Sequence, residues 1–465
     1  MMAAKKKFRL FDAVLAAVCV ILVVEAAAPS AAIGSSQYFW WAFLLVAFFL
    51  PYGLVSAELG TTYQGEGGLF DWVNRAFGRR WGSRVAWYYW INFPLWMASL
   101  AVLSVGVIDQ AFGITTPLWI SLPAQLVFIW VVCFLSNYSV SENALLINIA
   151  TFCKIALMVA LGGLGIYFAA TRGLANPIES ASDLLPGITG ISFIGIIIFN
   201  FLGFEVVTTF ADQMDEPRRQ IPKALLLGGI LVAFFYLFAS FGIGVAVPLD
   251  QLSTESGLLD SFDYFFGSIG LGSGLLIAVG LMFVFTLAIN LLSWALGVNH
   301  VAMHAADHHA LPKVFSIRKK GSDDTPIGAS VLNGAVASAL VLLAPVITAV
   351  TGDEEMFWKF FALQVITLLM SYIVLFPAFA KLRRIDPDRE RPYRVKGGPV
   401  RLRVITWAPV VLLVLAVFFC LTWPEEGGWV VDWTLLTGAV CAVIVGEVIT
   451  AVTGRAAAKP TSASV

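Results

Sequence analysis

Charge is what this chain lacks most. Only 13% of its 465 residues are charged, against 59% hydrophobic, and a soluble protein of that length needs a charged surface about twice as rich. A soluble fold is thereby excluded, leaving a polytopic membrane protein. Histidine is scarce, with four copies, and cysteine numbers five: Cys19, Cys133, Cys153, Cys420 and Cys441. The cysteines lie in or beside apolar runs without CxxC spacing, so neither a disulfide framework nor a zinc site is implied. No Gly-x-x-x-x-Gly-Lys loop occurs, which removes ATP as an energy source. No exposed basic domain offers a surface to nucleic acid, and no cofactor or metal is expected.

Long apolar runs are what the chain has instead. Twelve spans are expected, at 10–34, 38–59, 84–113, 117–137, 142–171, 188–214, 221–247, 269–305, 326–350, 356–382, 403–423 and 428–453. The net charge of −1 hides a strong bias, because 26 of the 29 Lys and Arg residues fall in alternate loops and the two tails. By the positive-inside rule both termini are cytoplasmic, in a multi-pass protein of the plasma membrane. The first span has a basic flank but no small-residue cleavage site, and reads as a retained helix.

Three ionisable residues sit alone at membrane depth. Ala13–Ile33 carries only Glu25, Ala144–Ala170 only Lys154, and Ile188–Ala211 only Glu205. Each costs at least about 2.5–3.5 kcal/mol near the bilayer centre, so it faces a partner, a cavity or a transported solute. The two carboxylates fall in spans 1 and 6. Between spans 2 and 3 lies Gly68-Leu-Phe-Asp-Trp-Val-Asn-Arg-Ala-Phe-Gly78, and between spans 7 and 8 lies Gly257-Leu-Leu-Asp-Ser-Phe-Asp-Tyr-Phe-Phe-Gly267. These agree at five positions, including Asp71 and Asp260, and would lie on opposite membrane faces. The pattern predicts two inverted repeats of five helices, 10–171 and 188–382, followed by two further helices in 403–453, with tails at 1–9 and 454–465.

Inverted repeats place a solute where the first helix of each is broken, because unpaired backbone groups survive at membrane depth only beside a cavity. Span 6 offers Phe199-Asn200-Phe201-Leu202-Gly203-Phe204-Glu205, with Gly203 as the natural break. Span 1 offers Val23-Val24-Glu25-Ala26-Ala27-Ala28-Pro29, where Pro29 removes a donor. Trp96 and Met97, deep in span 3, are further candidates to line the site. Trp87, Tyr88, Tyr89 and Trp90 read as an interfacial belt. His300, His304 and His308 recur every fourth residue at the end of span 8, a spacing suited to pH reporting or a metal. It also suggests a His-box oxidase, but such sites need more histidines, and a solvated helix end is the expectation.

At these motifs the chain resembles the amino acid–polyamine–organocation transporter superfamily. Asn200-Phe-Leu-Gly-Phe-Glu205 with Asp215-Glu-Pro-Arg-Arg-Gln-Ile-Pro222 is similar to that family's span 6 and following loop. Ala57-Glu-Leu-Gly-Thr-Thr-Tyr-Gln-Gly-Glu-Gly-Gly68 is similar to its span 2 signature, and Arg391-Pro-Tyr-Arg394 with Gly397-Gly398 to its span 10–11 loop. The resemblance implies an all-α, LeuT-type fold of 12 helices and secondary transport of amino acids or amines by alternating access. It implies that Glu205 lies near the substrate or senses protons, that Phe199 is a gate, that Trp294 lines the site, and that Lys154 occupies the place of a bound sodium. The usual glycines of span 1 are replaced by Val23-Val24-Glu25-Ala26-Ala27, as in members resembling glutamate/GABA antiporters.

The expected protein is therefore a sodium-independent transporter of amino acids or related amines, exchanging or proton-coupled through Glu25, Glu205 and Lys154, and not an enzyme. Polyamines or other cationic amines are the alternative substrates. Its expected partners are the small-molecule substrate, protons and the lipid bilayer.

Overall fold

The structure is a computed structural model that describes residues 10–458, except 11–13, 15–17, 19, 28–30, 64, 66, 192–193, 206–213, 215, 250–256, 271, 322–324, 353–354 and 426–427. It is mostly helical. In chain order the main helices are α1 (Ser36–Thr62), α2 (Leu69–Phe77), α3 (Arg79–Phe112), α4 (Leu118–Leu135), α5 (Val140–Arg172) and α6 (Ile194–Phe199). There follow α7 (Pro217–Ala246), α8 (Gly257–Ser268), α9 (Ser273–Asp307), α10 (Ile327–Thr351), α11 (Met356–Ile385), α12 (Pro399–Leu421) and α13 (Trp433–Ala458). Ten of these, all but α2, α6 and α8, are long and apolar enough to cross a membrane.

The ten coincide with ten of the twelve expected spans. The other two, the first and the sixth, contain no long helix among the described residues. Leu22 and Val23 are non-helical and lead into a single 3-10 turn, Val24–Ala26. α6 stops at Phe199, and Leu202 and Gly203 are again non-helical. Pro29 and the segment after Glu205 lie outside the described residues.

Both amphipathic connectors are helices, α2 and α8. α2 packs on α3 and on the last turns of α11, and α8 on α5 and α9. The strut of the bundle is α3, which touches α2, α4, α9, α10, α11 and α13. Lipid is as apolar as a leucine side chain, so close approach of small residues matters more here than hydrophobic burial. α5 and α7 meet in this way: a Cβ on Gly165 would stand 2.1 Å from the Gly242 carbonyl oxygen, and one on Gly162 2.3 Å from the Phe238 ring.

Two expectations need correcting. The fold is not purely helical, because Thr422–Glu425 and Gly428–Val431 pair as a short antiparallel hairpin between α12 and α13. Its Thr, Trp and Val residues favour extended backbone. Nor is Trp87–Trp90 an interfacial belt: all four side chains are buried. Trp87 donates to the Ala442 carbonyl of α13 at 2.8 Å, and Trp90 meets Phe315 edge-on at 4.7 Å. Helices covering α3, rather than lipid, receive these rings.

Candidate functional site

The chain before α1 stops being helical because Val23 swings to extended backbone (φ −100°, ψ 103°). The break frees several main-chain groups at membrane depth, and side chains of α7 and α9 meet them. Val23 N–H donates to the Tyr236 hydroxyl at 2.8 Å, whose proton is within reach of the carbonyls of Ile21 (3.1 Å) and Val23 (3.2 Å). Ser240 Oγ donates to Ala27 O at 3.1 Å, and Trp294 Nε1 to Val20 O at 2.7 Å. Unsatisfied, each such group costs several kcal/mol in a bilayer.

Gly203 marks the second break. Its φ of +97° is a conformation that side chains other than glycine's rarely adopt. A Cβ there would lie 2.7 Å from Trp294 Cζ2 and 3.7 Å from Ile21 Cγ1. The two broken segments are therefore adjacent, and the Trp294 indole lies against both. From this point a packed cluster of aromatic rings extends. Trp96 meets Trp294 edge-on at 5.6 Å and Phe199 at 5.8 Å, and Phe199 meets Phe361 at 5.6 Å. Met97 is buried beside Trp96. Phe201 points elsewhere, against Trp41 and Phe49.

Polar atoms in these elements are buried without hydrogen-bond partners among the described residues. They include Glu25 Oε1, Trp96 Nε1 and both amide atoms of Asn200 and of Gln364. Glu25 itself sits on the 3-10 turn, which packs on α5 and α9, within electrostatic reach of Lys154. Lys154 is fully buried and its Nζ donates to Asn290 Oδ1 of α9. This pairing meets an ammonium too deep to snorkel.

Glu205 has a different environment from Glu25. Tyr52 of α1 donates to its Oε2, and Tyr89 of α3 (2.9 Å) and Tyr372 of α11 (2.5 Å) donate to its Oε1. Three helices are thus tied to one carboxylate by buried phenols. Further along α1, Glu58 is 1% exposed and bound on both oxygens. Arg383 and Arg391 pair with it, Arg383 Nε at 2.8 Å and Arg391 Nε at 3.2 Å, and Val395 N–H donates to Oε2 at 2.7 Å. The clasp joins two of the motifs quoted above, Ala57-Glu58-Leu-Gly and Arg391-Pro-Tyr-Arg394.

The predicted residues Val23, Val24, Glu25, Ala26, Ala27, Trp96, Phe199, Asn200, Gly203 and Trp294 therefore gather around the two breaks, while Glu205 lies behind a tyrosine shell. Tyr52, Tyr236, Tyr372 and Asn290 escaped the sequence reading, Tyr89 was read as part of an interfacial belt, and Glu58 stood in a quoted motif without a role of its own. The available signal was a tyrosine inside an apolar span, whose hydroxyl needs a partner when buried. Among the described residues no group of three or more His, Cys, Asp or Glu is arranged to hold a metal ion.

The chain matches known transporters along its length. A family model described as amino acid permease matches residues 8–446. The chain is 46% identical over 450 residues, 96% of itself and 95% of the relative, to a probable agmatine/putrescine antiporter of Lactococcus lactis subsp. lactis. It is 22% identical over 391 residues, 82% of itself and 76% of the relative, to a glutamate/gamma-aminobutyrate antiporter of the same bacterium. A probable polyamine transporter of Arabidopsis thaliana is 24% identical over 376 residues, 79% of the chain and 70% of the relative.

Proposed function

This chain belongs to the amino acid permease family, and on that footing we propose that it exchanges cationic amines across the plasma membrane by alternating access. The observation that carries the reading is Glu25, a buried carboxylate with an oxygen left unpartnered among the described residues. It sits on the turn where span 1 is broken, and the Trp294 indole lies against that broken segment through the Val20 carbonyl. A carboxylate in a dry site recognises an ammonium or guanidinium through charge-assisted hydrogen bonds, and aromatic faces suit both the cation and its methylene chain. Glu25 is also the group that a coupling proton would occupy. The agmatine/putrescine relative supports small diamines and guanidino-amines as substrates.

Lys154, paired to Asn290, supplies a fixed positive charge in place of a bound sodium. Glu205 acts through its tyrosines, positioning α1, α3 and α11 rather than touching the amine. We place the two broken segments as spans 1 and 6 of twelve, in a LeuT-type arrangement of two inverted five-helix repeats plus α12 and α13. Both termini and the Glu58–Arg383–Arg391 clasp then lie on the cytoplasmic side. The relatives are transporters, and no catalytic role is assigned.

Counterflow in proteoliposomes tests this reading. Vesicles loaded with unlabelled putrescine should accumulate labelled agmatine in sodium-free buffer, and empty vesicles should not. No counterflow with any diamine, guanidino-amine or amino acid would end the proposal, and a strict need for sodium would end the role given to Lys154.

A further inference from the structure

Aspartates at the same place in the two amphipathic connectors make the same kind of contact. Asp71, in the first turn of α2, meets His304 Nε2 at 3.2 Å, three residues before the end of α9. Asp260, in the first turn of α8, accepts from Gln110 Nε2 at 2.5 Å, two residues before the end of α3. In each half the connector's acid is anchored to the far end of the long helix that follows the connector in the other half. The two clasps differ in chemistry. A glutamine amide does not titrate, whereas an imidazole does so near neutrality.

The inner clasp is closely built. Gly67 N–H also donates to Asp71, at 3.2 Å. A Cβ on Gly67 would stand 2.6 Å from both Asp71 Cγ and His304 Cδ2, and one on Gly65 2.7 Å from Asp71 Oδ2. The glycines of the Gly65–Gly68 run thus let the backbone close over the pair. Phe70 of α2 packs on the His304 ring at 6.0 Å and on His308 at 6.2 Å.

We propose that Asp71–His304 is a proton-sensitive clasp that docks α2 on the cytoplasmic end of α9, with Asp260–Gln110 as its pH-insensitive counterpart outside. The sidedness rests on the topology proposed above; the clasp itself does not. Protonated His304 forms an ion pair with Asp71 and sits at a helix C-terminus, which favours the cation. Burial alone would raise the Asp71 carboxyl, but the bond from His304, its charge, the Gly67 N–H and the charge of Arg75 hold it below the usual carboxylate range. Arg75 on α2 acts on Asp71; His300, Asp307 and His308 lie within four residues of His304 on α9; and the end of α11 that packs on α2 carries Lys381, whose Nζ lies over Phe77. Glu66 lies outside the described residues.

The direction follows from linkage. A histidine that binds its proton more tightly in the docked state favours docking below its undocked pKa, and that contribution fades as pH rises through the docked value. α2 is therefore held at mildly acidic pH and loosened at alkaline pH. Below the Asp71 titration the clasp is lost again.

Hydrogen exchange of the α2 amides in the purified full-length protein reads docking without any substrate, so it is independent of the transport reading. Between pH 5.5 and 8, protection corrected for intrinsic rates should fall about threefold or more in wild type. It should stay flat in His304→Gln, which copies the outer clasp, and in Asp71→Asn, while α8 protection stays flat throughout. Flat α2 protection in the wild type would overturn the proposal, whatever the variants do. So would an undiminished pH dependence in His304→Gln.

Discussion

The Tyr236 hydroxyl and the Val23 amide lie 213 residues apart in sequence and 2.8 Å apart in space. That one phenol serves a chain that has left the helix, accepting a main-chain proton and facing two carbonyls with its own. Tyr236→Phe removes all three contacts and keeps the ring stacked on Trp41 at 5.4 Å. A buried donor left without an acceptor costs about 1–3 kcal/mol. The variant should unfold at lower temperature in detergent and exchange substrate more slowly. Unchanged melting and unchanged exchange would show that the break does not depend on this phenol.

Gly203 is predicted to tolerate nothing larger. Alanine there meets two separate penalties, a left-handed φ of +97° and a contact at 2.7 Å with Trp294. The backbone penalty alone is about 1–3 kcal/mol. Gly203→Ala should reduce exchange at least about tenfold, and Trp294→Leu in the same chain should restore at most part, since it relieves the clash but not the strain and also removes the bond to the Val20 carbonyl. Full recovery in the double variant would mean that the backbone penalty is negligible.

These two residues show what a sequence discloses about such a protein and what it hides. Ten of the twelve spans and the places where the chain leaves the helix near Glu25 and Gly203 were legible, because apolar length and isolated charges are one-dimensional signals; Trp294 came from the family resemblance alone. Tyr89 was misread, since a Trp-Tyr-Tyr-Trp run at a helix start has the composition of an interfacial belt; only the packing of α13 and α11 makes it interior. Glu205 was found, but its three phenols come from three other helices, and no local pattern connects them. Asp71 and Asp260 were noticed as a repeat, whereas their partners, His304 and Gln110, lie on helices whose pairing needs the fold.

The tyrosine shell of Glu205 gives the third prediction. Tyr89→Phe leaves the carboxylate with donors from Tyr52 and Tyr372 and should cost about 1 kcal/mol. Glu205→Gln is worse, because an amide offers one oxygen and turns its own donors toward phenolic hydroxyls, for about 2–3 kcal/mol. Combining Glu205→Gln with Tyr372→Phe should cost less than the sum of the single changes, as expected of groups in one network. Melting temperatures of the purified variants decide it, and strict additivity would mean that these groups do not act as a unit.

Glu25→Gln should separate recognition from stability. Its Oε1 has no hydrogen-bond partner among the described residues, so the amide breaks no hydrogen bond there and loses only the attraction to the buried Lys154, and melting should fall by no more than a few degrees. A cationic substrate, by contrast, loses a charge-assisted bond in a dry site, worth about 1.5–3 kcal/mol. The half-saturating concentration for diamine counterflow should then rise about 10- to 100-fold. Glu25→Asp keeps the charge but withdraws it by one methylene, and should fall between the two. Any proton coupling carried by Glu25 would disappear in the glutamine variant, leaving exchange independent of pH apart from the Asp71–His304 clasp. If counterflow keeps its wild-type concentration dependence in Glu25→Gln, the ammonium is held elsewhere. Asn200 and Gln364, whose amides have no partner among the described residues, are then the next positions to change.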